Sequence, residues 1–131
     1  MTRNIVFICE HGAAKSILAA AYFNKFARER NLDIHALARG TNPDEELAVS
    51  AVSGLAKDGL KSGEEKPILL SPQDIADAAA VISFFELPKE YQGAPSMEIW
   101  MDVPPVSVDY ETSRDVIVGR IKQFMDGWKE A

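Results

Sequence analysis

A single cysteine, Cys9, and two histidines are the whole supply of thiol and imidazole in the 131-residue sequence. One thiol excludes a disulfide within the chain, and with it the cross-linked framework of small secreted domains; it fits a reducing compartment, so the expected localisation is cytoplasmic. His11 and His35 have no second cluster of ligating side chains beside them, which leaves no metal pattern, and no cofactor is expected. Cations are outnumbered too. Fourteen Lys and Arg stand against twenty Asp and Glu, a formal net charge of -6, which opposes long-range attraction to nucleic acid or an anionic membrane surface. No apolar run approaches the roughly 20 residues of a membrane-spanning helix. The amino end, Met1-Thr2-Arg3-Asn4-Ile5, leads into a short apolar stretch without the longer apolar region and cleavage site of a signal peptide. Neither nucleic acid nor membrane is an expected partner, and any anionic ligand must be held by local geometry.

What is present is an ordinary globular composition, 47% hydrophobic and 26% charged. Its length suits one domain spanning residues 1–131, since single cores commonly occupy about 100 to 150 residues. Ile5-Val6-Phe7-Ile8 reads as a strand buried on both faces. From Ser16 to about Arg30, Ile17, Leu18, Ala21, Tyr22, Phe23 and Phe26 recur at helical spacing, with Asn31 as a stop signal. A second strand is predicted over Asp33 to Ala38, a loop over Arg39 to Pro43, and a helix from Glu46 to Lys57. Lys61 to Pro67, with its Glu64-Glu65-Lys66 cluster, reads as solvated surface. Ser71-Pro72-Gln73-Asp74 has the form of a capped helix start.

Ala79 to Phe85 is the third expected strand, Glu86 to Pro95 a loop, and Met97 to Met101 a fourth strand. Pro104 and Pro105 keep Val103 to Val106 out of any central strand. The last helix is expected from about Tyr110 to Lys129, burying Val116, Ile117, Ile121, Phe124, Met125 and Trp128. This alternation predicts an α/β fold: a three-layer sandwich with a central four-stranded parallel sheet and helices on both faces. Ligands of such sheets bind beyond the carboxyl ends of the strands, where Cys9 falls.

Cys9-Glu10-His11-Gly12-Ala13-Ala14-Lys15-Ser16 joins the first strand to the first helix. A loop in that place aims several backbone N–H groups at one spot, and the helix dipole adds about half a positive charge. The geometry suits phosphate or arsenate. Gly12 supplies the positive φ that such a cradle needs, and Ala13 and Ala14 keep side chains out of the anion's way. Facing the same N–H groups, Cys9 is expected to favour its thiolate and act as a nucleophile. Lys15 adds a point charge, and Ser16 is placed to donate a hydrogen bond to the thiolate. His11 lies where it can contact substrate or simply face solvent. Glu10 is expected to turn its side chain away, because a carboxylate repels phosphate. Tyr91 and Trp100 fall beside loops at the same end of the sheet, as pocket mouth or as core.

The run from Ile5 to Ser16 resembles the opening of the low-molecular-weight protein tyrosine phosphatases and of the arsenate reductases that share their fold. The likeness continues through Ala38-Arg39-Gly40-Thr41, Leu70 to Ile75 and Val81-Ile82. The resemblance implies phosphocysteine or arsenocysteine chemistry. Cys9 would attack the oxyanion in line, the loop amides of Glu10, His11, Gly12, Ala13 and Ala14 with Lys15 would hold its oxygens, and an Asp near the carboxyl end would protonate the leaving group.

The sequence departs from the family pattern in three places. Lys15 stands where the family has Arg, and lysine cannot make the planar two-pronged contact. Loss of one charge-assisted hydrogen bond is worth about 1.5 to 3 kcal/mol, roughly tenfold to a hundredfold in rate. No Asp-Pro precedes the last helix; Asp102 is the first candidate acid and Asp109 the second, the latter competing with a role as helix cap. Finally, a thioredoxin-coupled reductase needs further cysteines, so only a reductase drawing on an external thiol fits. The expected function is a cysteine-dependent phosphatase of weakened activity on a phosphorylated substrate such as phosphotyrosine. The alternatives are arsenate reduction with an external thiol and a non-catalytic oxyanion-binding or regulatory module.

Overall fold

The structure, a computed structural model, describes residues 3–128. In chain order the elements are β1 (Arg3–Cys9), α1 (Lys15–Glu29), β2 (Ile34–Gly40), α2 (Val49–Lys57), α3 (Pro72–Asp77), β3 (Ala78–Ser83), a 3-10 turn (Lys89–Tyr91), β4 (Met97–Ile99) and α4 (Tyr110–Asp126). The four strands form one parallel sheet in the order β2-β1-β3-β4, the architecture expected of the sequence. Among the described residues, no helix is long and apolar enough to cross a membrane.

Burial on both faces of β1 explains its unbroken apolar run. Ile5, Val6, Phe7 and Ile8 are all fully buried, and because side chains alternate along a strand they enter two separate cores. Ile5 and Phe7 join the larger one, with α1, α4 and the inward residues of β2. Phe7 is its centre, with ring centroids 5.7 Å from Phe23, 6.3 Å from Phe84 and 5.8 Å from Trp100. Val6 and Ile8 join the smaller core with Leu70, Ile75 and Leu87, covered by α3. Ser71 caps α3 through a reciprocal box: its Oγ accepts from Asp74 N at 3.2 Å, and Asp74 Oδ2 accepts from Ser71 N at 3.0 Å. Asn31 closes the α1 connection with a φ of 56°.

Several boundaries differ from expectation for definite reasons. The second helix starts at Val49 instead of Glu46, because the preceding backbone is committed elsewhere: the amides of Asn42, Asp44 and Ala48 all donate to the loop after β1. Gly40, expected in a loop, ends β2, where its N–H donates to Ile68 O at 2.9 Å and its carbonyl accepts from Leu70 N at 2.8 Å. β3 stops at Ser83, whose Oγ turns the chain by contacting both N and O of Phe85. β4 is three residues long, not five. Glu64 is not on a solvated surface; its side chain is 13% exposed and pairs with Arg39 at 3.0 Å. The expected end of the last helix at Lys129 lies outside the described residues, and Gly127 caps α4.

Three helices meet at Asp58, which caps the carboxyl end of α2. Its Oδ2 accepts from Tyr22 OH of α1 and, at 2.9 Å, from Tyr110 OH of α4, while Arg114 Nη1 lies 3.3 Å from Oδ1. Burial raises the pKa of Asp58, but hydrogen bonds from Tyr22, Tyr110 and Arg114 outweigh it and hold the carboxyl below its ordinary value. Burial, reinforced by the bond to Asp58, pushes Tyr22 up to about 12.

The signs set a pH window. A lowered Asp58 stabilises above the unfolded carboxylate range, about 4, and loses its contribution as pH falls through the folded value. A raised Tyr22 stabilises below about 10 and loses its contribution as pH rises toward about 12. The stability difference between wild type and Tyr22→Phe, measured by urea unfolding, is therefore expected to be constant from about pH 6 to 9. It should shrink between about pH 10 and 12; a constant difference across the alkaline range would contradict the assignment.

Candidate oxyanion site

The loop between β1 and α1 is shaped by one contact. Gly12 has a φ of +61° and packs against Gly40 so closely that a Cβ on Gly12 would stand 3.0 Å from Gly40 N, and one on Gly40 2.6 Å from Gly12 N. Cys9 and Gly40 are register partners in the sheet, so the ends of β1 and β2 deliver both glycines to the same place. The loop carbonyls are then drawn outward: Glu10 O accepts from Asn42 N at 2.7 Å, His11 O from Asp44 N at 3.1 Å, Ala13 O from Ala48 N at 2.9 Å and Ala14 O from Leu18 N at 2.9 Å. The amides of residues 10–14 have no acceptor among the described residues. Helix α1 begins without a side-chain cap and without an acidic residue in its first turn, although Ala13 and Ser16 at its start are buried. Buried, uncapped amides at a helix start are costly unless an acceptor meets them, and an oxyanion is such an acceptor.

Cys9 lies half-buried at the base of this arrangement, its Sγ 3.0 Å from Ser16 Oγ. Ser16 is fully buried, and either atom of this contact can be the donor; with Cys9 as a thiolate the hydroxyl would donate to the sulfur. Above them opens a cavity of about 360 Å³ whose walls include Lys15 from the loop, Ala48 and Ser50 from the start of α2, Phe84 and Phe85 after β3, and Pro105, Val106 and Ser107 ahead of α4. Lys15 makes no ion pair among the described residues. Of the loop residues singled out in the sequence, Cys9, Glu10, His11, Ala13, Ala14 and Lys15 line the cavity; Gly12 shapes the loop from behind, and Ser16 lies beneath Cys9.

The mouth is more acidic than expected. Glu10 lines the cavity instead of turning away, and Asp44 lines it from the facing segment. His11 stands between them, with Nε2 3.5 Å from Glu10 and Nδ1 3.4 Å from Asp44. Nδ1 is also 3.2 Å from Asn42 O, which can only accept. Glu10 thus lines the cavity with its carboxylate facing a histidine.

Neither candidate acid reaches the cavity. The carboxylate of Asp102 is exposed and grips Arg120 Nη2 with both oxygens, at 2.5 and 2.6 Å. The guanidinium lies over the Trp100 ring, which draws the pair toward α4 and away from the pocket. Asp109 caps α4, accepting from Thr112 N at 3.1 Å and Thr112 Oγ1 at 2.7 Å. The bonds from Thr112 hold its carboxyl below the ordinary range. Where the acid was expected, the wall is Pro105, Val106 and Ser107. Trp100 is a core residue of the larger cluster, and Tyr91 is partly buried against the smaller one. Sequence reasoning missed Asp44, Ala48 and the positioning role of Gly40. The only local signal for these was the turn composition of residues 39–43.

No family model matches the sequence. The fold has solved counterparts. A low-molecular-weight protein tyrosine phosphatase from T. tengcongensis is 19% identical with a TM-score of 0.76, over 97% of this chain and 100% of that one. An arsenate reductase from Archaeoglobus fulgidus is 24% identical with a TM-score of 0.73, over 92% and 97%. An arsenate reductase in the phosphate binding state is 17% identical with a TM-score of 0.78, over 95% and 98%. The chain has the fold that low-molecular-weight protein tyrosine phosphatases and arsenate reductases share, as the resemblance of its sequence implied.

The glycine contact carries a direct consequence. Gly40→Ala forces a methyl group into backbone atoms that cannot rotate away. It is expected to cost about 1 to 3 kcal/mol in chemical denaturation, whereas Gly63→Ala, where a Cβ meets nothing within 4 Å, should change stability by less than about 0.5 kcal/mol. Equal costs at the two positions would contradict the close approach.

Proposed function

We propose that the chain is a cysteine-dependent phosphatase of weakened activity, holding the phosphoryl group of a monoester in the loop cradle. The observation that carries this reading is the Cys9 Sγ to Ser16 Oγ contact of 3.0 Å beneath amides that lack acceptors. In the first step Cys9 Sγ attacks phosphorus, and the S–P bond forms as the bond to the leaving oxygen breaks. In the second, water attacks phosphorus, the S–P bond breaks, and inorganic phosphate leaves with the thiolate restored. The loop amides and Lys15 hold the phosphoryl oxygens through both steps, and Ser16 donates to the sulfur as it takes back charge. With neither Asp102 nor Asp109 at the cavity, the leaving oxygen departs without an acid from that segment. Esters whose leaving group is stable as an anion, phenolates such as phosphotyrosine among them, are favoured.

Cys9→Ser is expected to abolish hydrolysis of an aryl phosphate, while Asp102→Asn leaves it unchanged. Lys15→Arg, which restores a two-pronged contact, should raise turnover roughly tenfold to a hundredfold. Hydrolysis that survives Cys9→Ser would remove the assignment. No gain from Lys15→Arg in a protein that still binds phosphate would favour an oxyanion-binding module without useful catalysis.

A second reading is arsenate reduction with an external thiol, favoured by the same lack of a lining acid, since arsenate can carry its own proton on the departing oxygen. The As–S bond to Cys9 forms with loss of water. A first external thiol then releases arsenite, leaving a mixed disulfide on Cys9, and a second regenerates the cysteine as the two external thiols become a disulfide. Arsenate-dependent consumption of glutathione separates this reading from the first.

A further inference from the structure

Three of the four pieces of chain that build the cavity converge on one carboxylate, Phe84 and Phe85 after β3 being the fourth. Helix α1, which opens with Lys15 and Ser16, reaches Asp58 through Tyr22 OH. Helix α2, which opens beside the wall residues Ala48 and Ser50, ends on Asp58 itself. Helix α4, which follows the wall of Pro105, Val106 and Ser107, reaches Asp58 through Tyr110 OH at 2.9 Å and Arg114 Nη1 at 3.3 Å. The Tyr110 ring packs against α2 at Gly54, so close that a Cβ there would collide with its Cε2 and Cδ2. The fully buried Ser113 donates to Pro104 O at 2.5 Å, which ties the proline wall to the same first turns of α4. None of Tyr22, Asp58, Tyr110 or Arg114 lines the cavity.

We propose that Asp58 is a positioning residue for the oxyanion site. Its carboxylate sets the separation of the α2 and α4 walls on either side of Cys9, and Tyr110 is the arm through which it holds the wall that replaces the expected acid loop. A carboxylate suits this role because it can accept from three donors arriving from different helices, where an amide would offer one acceptor oxygen and an N–H that opposes them. Loss of one donor hydroxyl frees one wall relative to the other while the Tyr22 and Tyr110 rings stay packed in and against the larger core.

The proposal rests on the oxyanion reading of the cavity, so its test has two arms. Tyr110→Phe keeps the ring over Gly54 and removes only the hydroxyl; Asp58→Asn keeps shape and removes charge. The first arm is hydrogen exchange at the wall amides of Ala48, Val108 and Asp109, each of which donates to a backbone carbonyl. Exchange there is expected to quicken about fivefold in both variants, with the amides of Val6, Phe7 and Ile8 unchanged. The second is protection of Cys9, the chain's one thiol, from iodoacetamide by inorganic phosphate; the half-protecting concentration should rise about fivefold. Wall amides that exchange at the wild-type rate, or that quicken only in step with those of β1, would overturn the proposal. A wild-type protein that phosphate does not protect would instead remove the oxyanion reading, and the exchange arm would still judge the brace.

Discussion

The outward pull on the carbonyls of the Cys9 loop is the constraint from which the site follows. Three carbonyls, of Glu10, His11 and Ala13, are taken by amides of the facing segment, Asn42, Asp44 and Ala48, and that of Ala14 by Leu18 of α1. A peptide plane cannot send its oxygen one way without sending its N–H the other. Gly12 turns the chain through the left-handed region to make this possible, and Gly40 makes room for it. The second helix yields its first turn to the same purpose, since the amides of Asp44 and Ala48 serve the loop before α2 begins. The cradle is therefore a product of three segments, and Cys9 lies beneath it because β1 ends there.

Local chemistry was legible in the sequence wherever short range decides it. The buried strand from Ile5 to Ile8, the box at Ser71 and Asp74 and the cap at Asp109 all follow from residues within four positions of each other. What could not be read depends on partners far along the chain. Asp102 was a reasonable acid until Arg120, eighteen residues on, claimed both of its oxygens. Gly40 looked like a turn residue, yet its value lies in a contact with Gly12 twenty-eight positions earlier. Tyr22 read as plain core, and its hydroxyl meets Asp58 thirty-six residues away. Helical and strand periodicity reports which face is apolar; it does not report which polar tip will find which other.

The electrostatics of the cavity set limits on what it can do well. Lys15 is the fixed cation within it, while Glu10 and Asp44 sit at its mouth with His11 between them. An oxyanion there depends on backbone amides and a helix start more than on side-chain charge, which suits recognition of a tetrahedral anion by shape. In the proposed phosphatase reading, the burden of rate falls on the Cys9 sulfur, 3.0 Å from Ser16 Oγ, with Pro105 in the facing wall.

The most direct measurement of the central claim is a crystal structure of the chain with bound phosphate. The account predicts the phosphorus directly over Cys9 Sγ, with its oxygens within about 3 Å of the amides of residues 10–15. Phosphate bound away from Cys9, or loop amides found facing carbonyls of their own chain, would contradict it.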